Sequence, residues 1–152
     1  NVVATGSFRV NNNLVVANNI YTSNSVSPSN ISVTGAVTYV SANSVTIGVT
    51  DMNSSVLITT TTNDQILDSF SNAVYRSAQY NLTMNAGTDW QTTQVSLIQD
   101  GIGNVYITEY GAVYTSNNLA TFSGSVVSGT VRLNVIPTFA TTTIKMYRVA
   151  TK

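Results

Sequence analysis

The chain contains no cysteine and no histidine, and it is short of charge. Six basic and six acidic side chains make up 8% of its 152 residues, against about 25% in ordinary soluble domains. Each shortage excludes something. Without cysteine there are no disulfides to staple a small fold. Without cysteine or histidine, the usual zinc sites and the histidine-based nucleophile triads cannot be built. A net charge of zero lacks the basic footprint that displaces counterions from a nucleic acid, so no nucleic-acid partner is expected. No apolar run approaches the ~20 residues of a membrane helix, so no membrane partner is expected either.

What is present is a chain of amides, hydroxyls and β-branched residues. Hydrophobic residues reach 43%, dominated by valine and isoleucine, and Asn, Ser and Thr together make up roughly four residues in ten. Solubility therefore rests on neutral polar groups. Disordered chains combine low hydrophobicity with high net charge, which is not the pattern here. A chain of this length can bury roughly 70% of its unfolded surface, enough for a genuine core. The first residue is Asn1, which suggests a processed or excised part of a longer product.

The charges are unevenly placed. All six acids lie between Asp51 and Glu109, whereas Arg132, Lys145, Arg148 and Lys152 lie near the end. The basic end is expected to pair with the acidic middle on folding, or to stay solvated.

Periodicity points to an all-β protein. Apolar–polar alternation and Gly, Asn and Ser punctuation recur along the chain. The only candidate helical turn is the short "NDQILDSF", residues 63–70. Two parts are expected: residues 1–63 as a β-rich stem, arm or extra sheet, and residues 64–152 as an antiparallel β-sandwich or small barrel. In the first part "LVVANNI" and "AVTYVSANSVTI" read as loose copies of one pattern, which would need neighbouring copies or chains to close a core. In the second part six strands are expected. Val74, Ala78, Tyr80, Leu82 and Met84 share one face, with Arg76 among them. Val95 and Leu97 oppose Trp90 and Ile98, and Val131, Leu133 and Val135 form a third apolar row. Turns are expected at Asp100–Asn104 and at Ser128-Gly129, where Gly and Asn accept positive φ. Pro137 marks a strand end. This second part is expected to fold without the first.

The stretch "IQDGIGNVYITEYGAVYTS", residues 98–116, carries the candidate chemistry. Glycoside hydrolysis needs two carboxylates about 5–10 Å apart. Asp100 sits at the hairpin turn and Glu109 most of a strand away, so they do not make such a pair. No catalytic residue is assigned and no enzymatic activity is expected. "DGIGN" lacks the alternating oxygen ligands of a calcium loop, so no metal or cofactor is assigned. Asn30, Asn53 and Asn81 begin sequons of the kind that arise by chance in such a composition. The aromatic residues offer two readings. Tyr106 and Tyr110 fall on one strand face with Tyr114 beyond, and Trp90 is the only tryptophan. Such residues pack across strands, or they form a platform on which a sugar stacks.

Residues 68–150 resemble a C-terminal module of virion structural proteins of tailed bacteriophages, in particular phages of cyanobacteria and other marine bacteria. The elements that carry the resemblance are Tyr75-Arg76-Ser77-Ala78, Asp100-Gly101, Thr108-Glu109-Tyr110-Gly111, and the strands Val131–Pro137 and Thr142–Arg148. "GSFRVNNNLVVANNI" is similar to the repetitive stem that precedes such modules in phage fibres. The resemblance implies a virion component: fibre, tail or head-surface decoration protein. Its expected partners are other virion proteins and copies of itself, with a trimer favoured. The alternative is a receptor-binding module for a host-surface glycan. Arg76 and Glu109, charges within neutral strands, are expected to pair across the sheet or to fix a subunit contact.

Overall fold

The computed structural model describes residues 44–152. The segments "LVVANNI" and most of "AVTYVSANSVTI", and with them residues 1–43 of the expected stem, lie outside the described residues. Nine strands follow in chain order: β1 (Ser44–Ile47), β2 (Thr50–Ile58), β3 (Gln65–Ser71), β4 (Ser77–Ala86), β5 (Asp89–Gln99), β6 (Val105–Tyr114), β7 (Ala120–Val127), β8 (Thr130–Pro137) and β9 (Thr143–Thr151). Among the described residues there is no helix. Every strand pair is antiparallel, in a six-stranded sheet ordered β1-β2-β9-β4-β5-β6 and a three-stranded sheet ordered β3-β8-β7. The all-β antiparallel expectation is met. The barrel alternative is not, because neither sheet closes on itself.

One core lies between the sheets, and alternation builds it. The large sheet contributes Ala78, Tyr80, Leu82 and Met84 from β4, Val95 and Leu97 from β5, and Ile144 and Met146 from β9. The small sheet contributes Leu67 and Phe70 from β3 and Val131, Leu133 and Val135 from β8. The β7–β8 turn has Ser128 at φ 50° and Gly129 at φ 77°. Two successive positive φ values match the twist of a tight hairpin. Gly124 on β7 serves a different need: a Cβ there would collide with Val105 Cγ1 on β6. The gap between the edges of the two sheets is closed only because that side chain is missing.

Two expectations about elements change. Residues 65–71 form a strand, not a helical turn. They pair with β8, and a register shift between Ile66 and Asp68 turns Leu67, Asp68 and Phe70 inward. The bulge breaks strict alternation, which is why the segment reads like a helical turn. The large sheet also extends N-terminal of residue 64. All nine residues of β2 pair with β9, so the strands before the expected boundary share a sheet with those after it.

The same inward rows carry a buried charge cluster. Arg148 on β9 donates from Nη2 to Asp51 Oδ2 on β2 at 2.6 Å and from Nη1 to Asp68 Oδ2 on β3 at 2.8 Å. Tyr80 donates its hydroxyl to Asp68 at 3.0 Å, and Thr46 donates to Asp51 at 3.2 Å. The Arg148 guanidinium lies 5.5 Å from the Phe70 ring centre. Burial, and then the Asp68 charge, push the Tyr80 hydroxyl well above the usual tyrosine range. This cluster joins both sheets; of the basic residues near the end, Arg148 alone makes ion pairs with the acidic middle among the described residues.

Candidate functional site

The face of the large sheet turned away from the core has an unusual chemistry. Cross-strand register places Ile98 opposite Tyr106, Ser96 opposite Thr108, Gln94 opposite Tyr110 and Thr92 opposite Val113. On the other side of β5, Thr92, Gln94, Ser96 and Ile98 face Thr83, Asn81, Gln79 and Ser77 of β4. None of these side chains is charged. Trp90 is 48% exposed, Ile98 52% and Tyr106 58%, so the apolar and aromatic groups stand in solvent at both ends of β5.

Each end has a depression. The first, about 370 Å³, is bordered by Ser77, Gln79, Ser96, Ile98, Tyr106 and Thr108. The second, about 260 Å³, lies between Trp90 and the residues Thr83, Thr92, Val113 and Thr115. A smaller one of about 110 Å³ flanks Trp90 on the side of Asn85, Thr143 and Lys145. The backbone at Trp90 is clamped. Its N–H donates to Thr115 Oγ1 at 3.0 Å, and its carbonyl accepts from the Thr115 N–H at 2.9 Å.

The three tyrosines do not share a face. The β5–β6 register shifts between Thr92 and Gln94, where Gly111 has φ 66°. An extra residue on one strand reverses side-chain parity beyond it. Tyr106 and Tyr110 therefore stay outward, while Tyr114 registers with the buried Gln91, is itself 51% exposed and borders the depression at Trp90. Tyr110 receives a hydrogen bond at its hydroxyl from Ser96 at 3.4 Å.

Arg76 and Glu109 do not pair with one another. Arg76 precedes β4 and donates from Nη1 to the backbone carbonyl and to Oε1 of Gln99, both at 3.4 Å. Glu109 accepts from Thr93 Oγ1 at 2.8 Å and is registered with Val95. Val95 and Gln99 are four residues apart on β5, about 13 Å along a strand, which separates the two charges. Both ion pairs among the described residues belong to Arg148.

Asp100 builds its turn. One carboxylate oxygen accepts from the N–H groups of Ile102, Gly103 and Asn104, and the other accepts from the Asn104 side chain. The Asn104 side chain first, and then the loop amides, hold its carboxyl below the usual range. Glu109 lies five residues up the return strand from Asn104, about 17 Å along it, so the two carboxylates do not converge. Asp89 holds the β6–β7 loop by accepting from Ser116 Oγ at 2.6 Å. No group of three or more potential metal ligands occurs among the described residues.

No protein-family model matches the chain, and no curated protein does. Solved structures with a partial likeness to the chain exist. All three that follow are tailspike proteins of Acinetobacter phages. That of Acinetobacter baumannii phage AM24 is 11% identical, with a TM-score of 0.43, over 67% of this chain and 26% of that one. That of A. baumannii phage Fri1, described as a capsular polysaccharide depolymerase, is 16% identical, with a TM-score of 0.44, over 71% and 19%. That of Acinetobacter phage vB_ApiP_P1 is 15% identical, with a TM-score of 0.49, over 84% and 26%. The chain thus spans about a quarter or less of the length of these tailspikes. They come from Acinetobacter phages, not from the phages of cyanobacteria suggested by the sequence resemblance. The expectation of a chain without enzymatic activity is corrected: the Fri1 protein, which this chain partly resembles, is described as a capsular polysaccharide depolymerase.

Proposed function

We propose that the chain is a module of a phage virion protein, carried on the tail, that contacts host-surface glycan through the outer face of β4, β5 and β6. The observation that carries this reading is the pairing of exposed aromatic groups with neutral amides and hydroxyls on that face, at Trp90, Tyr106, Gln79, Asn81 and Gln94. A sugar offers the matching surface, apolar ring faces edged by hydroxyls. It is bound by side chains that stack on the ring and by groups that both donate and accept. The sequence resemblance of residues 68–150 to virion modules supports the location.

Assembly with copies of itself belongs to the same proposal, with a trimer as the favoured state. Ile47, Val56 and Ile58 are 63%, 60% and 61% exposed at the β1–β2 end of the sheet. Such apolar residues, in a chain with so few charges, suit contacts between subunits. The test is affinity electrophoresis of the whole chain through gels cast with purified bacterial surface polysaccharides. Selective retardation by one or a few of them is expected, and no retardation by any would end the proposal.

A further inference from the structure

We infer that this face takes an extended, uncharged polysaccharide strand, held at its two ends by Trp90 and by the Tyr106–Ile98 pair. The inference rests on the glycan-contact reading and adds to it the charge class and the length of the ligand.

The charge class follows from what the face lacks. From Trp90 to Ile98, the outward residues of β5 and their neighbours on β4 and β6 include no acid and no base. The nearest cations stand beyond its two ends: Lys145 at the small depression on the far side of Trp90, and Arg76, which precedes Ser77 and is bonded to Gln99. A polymer with a carboxylate in every repeat would lay several anions on a surface with no cation between its ends. Covering an anion without a partner is costly. Amides and hydroxyls suit a neutral polymer, whose groups they can satisfy one by one.

The length follows from the two ends. Trp90 and Ile98 are eight residues apart on one strand, about 26 Å. The depression at Tyr106, about 370 Å³, falls at the lower end of the range for small-ligand sites, and the one at Trp90, about 260 Å³, falls below it. Neither end is expected to bind tightly alone. Both stand on the same hydrogen-bonded sheet, and Thr115 clamps the backbone at Trp90. Their spacing is therefore fixed before the ligand arrives, which reduces the entropy lost on binding. A strand long enough to reach both gains by linkage, typically 10²- to 10⁴-fold over a fragment that reaches one. Between the ends it passes over Thr92, Gln94 and Ser96.

The experiment uses the full chain and an array of purified neutral and acidic bacterial polysaccharides, then graded fragments of whichever polymer is retained. A neutral polymer is expected to be retained, with affinity rising at least about 100-fold once fragments exceed the span of the face. Trp90→Ala and Tyr106→Ala should each reduce binding of long fragments to the level of short ones, while thermal melts show both variants folded. Short fragments binding as tightly as long ones would overturn the two-ended site. Retention of acidic polymers alone, lost in Lys145→Ala, would overturn the charge class. Retention of nothing would remove the glycan-contact reading itself.

Discussion

Arg148 on β9 and Asp51 on β2 meet at 2.6 Å inside the protein, on neighbouring strands of the large sheet. Asp68 reaches the same guanidinium from the small sheet at 2.8 Å, so one arginine ties three strands and both layers together. Removing one partner of a buried pair leaves uncompensated charge, which costs about 3–5 kcal/mol. Arg148→Met is expected to destabilise the chain by that amount in urea unfolding. The triple variant Arg148→Met, Asp51→Leu, Asp68→Leu should recover most of the loss, because apolar groups of similar volume can replace a buried ion cluster. A triple variant no more stable than the single one would show that the cluster is irreplaceable.

The hydroxyl of Tyr80 makes stability fall in alkali. Burial and the neighbouring Asp68 keep its proton on to higher pH in the folded chain than in the unfolded chain, where tyrosine ionises near 10. Above that pH the folded state holds more protons, so stability is full below about pH 10 and declines above it, by up to about 1.4 kcal/mol per pH unit from this group. Tyr80→Phe should lower stability at neutral pH by about 1–2 kcal/mol through loss of the bond to Asp68, and should flatten the alkaline decline. An unchanged slope between pH 10 and 11.5 in the variant would assign the decline elsewhere.

Gly124→Ala is expected to destabilise by about 1–3 kcal/mol, because the added methyl collides with Val105 across the gap between the sheets. Adding Val105→Ala should return part of that loss. Were the double variant the sum of its parts, the steric account would be wrong.

The tip of the β5–β6 hairpin is held by Asp100. Its carboxyl is ionised to lower pH in the folded chain than in the unfolded one. The order it gives is therefore present above the ordinary carboxylate range and is lost as pH falls through the lowered value. Asp100→Ala should speed amide exchange at Ile102, Gly103 and Asn104, the three donors to its oxygen, and leave β8 unchanged. Equal exchange in both proteins would remove Asp100 from that role.

Residues 44–152 should melt cooperatively, whereas residues 64–152 should not. The shorter fragment loses β2, opens the edge of β9 along nine pairings and leaves Arg148 without Asp51. A sharp melt of residues 64–152 matching that of the longer fragment would show β2 to be dispensable.

Strands with clean alternation were legible in the sequence. Ala78, Tyr80, Leu82 and Met84 read as one buried row and form one, as do Val131, Leu133 and Val135, whereas Val74, read into the first row, is exposed ahead of β4. Bulges hid the rest, because a single extra residue reverses every side chain beyond it. Around Ile66 that made a strand look like a helical turn. Around Gly111 it moved Tyr114 off the face of Tyr106 and Tyr110. The pairing of Arg76 with Glu109 failed for another reason: register along β5 decides who meets whom, and composition does not contain register. Arg148 was missed although the sequence carried its signal. It occupies the inward parity of Ile144, Met146 and Ala150, and a charge in such a row signals a buried partner.

Trp90 is the chain's single tryptophan, and it lies on the face assigned to glycan contact. Its emission therefore reports on that face without a label. Titrating the full chain with the polysaccharide that retards it should shift the emission to shorter wavelength and reduce acrylamide quenching, with saturation at the concentration that saturates retardation. Retardation with Trp90 emission and quenching both unchanged would place the glycan elsewhere on the molecule and contradict the account.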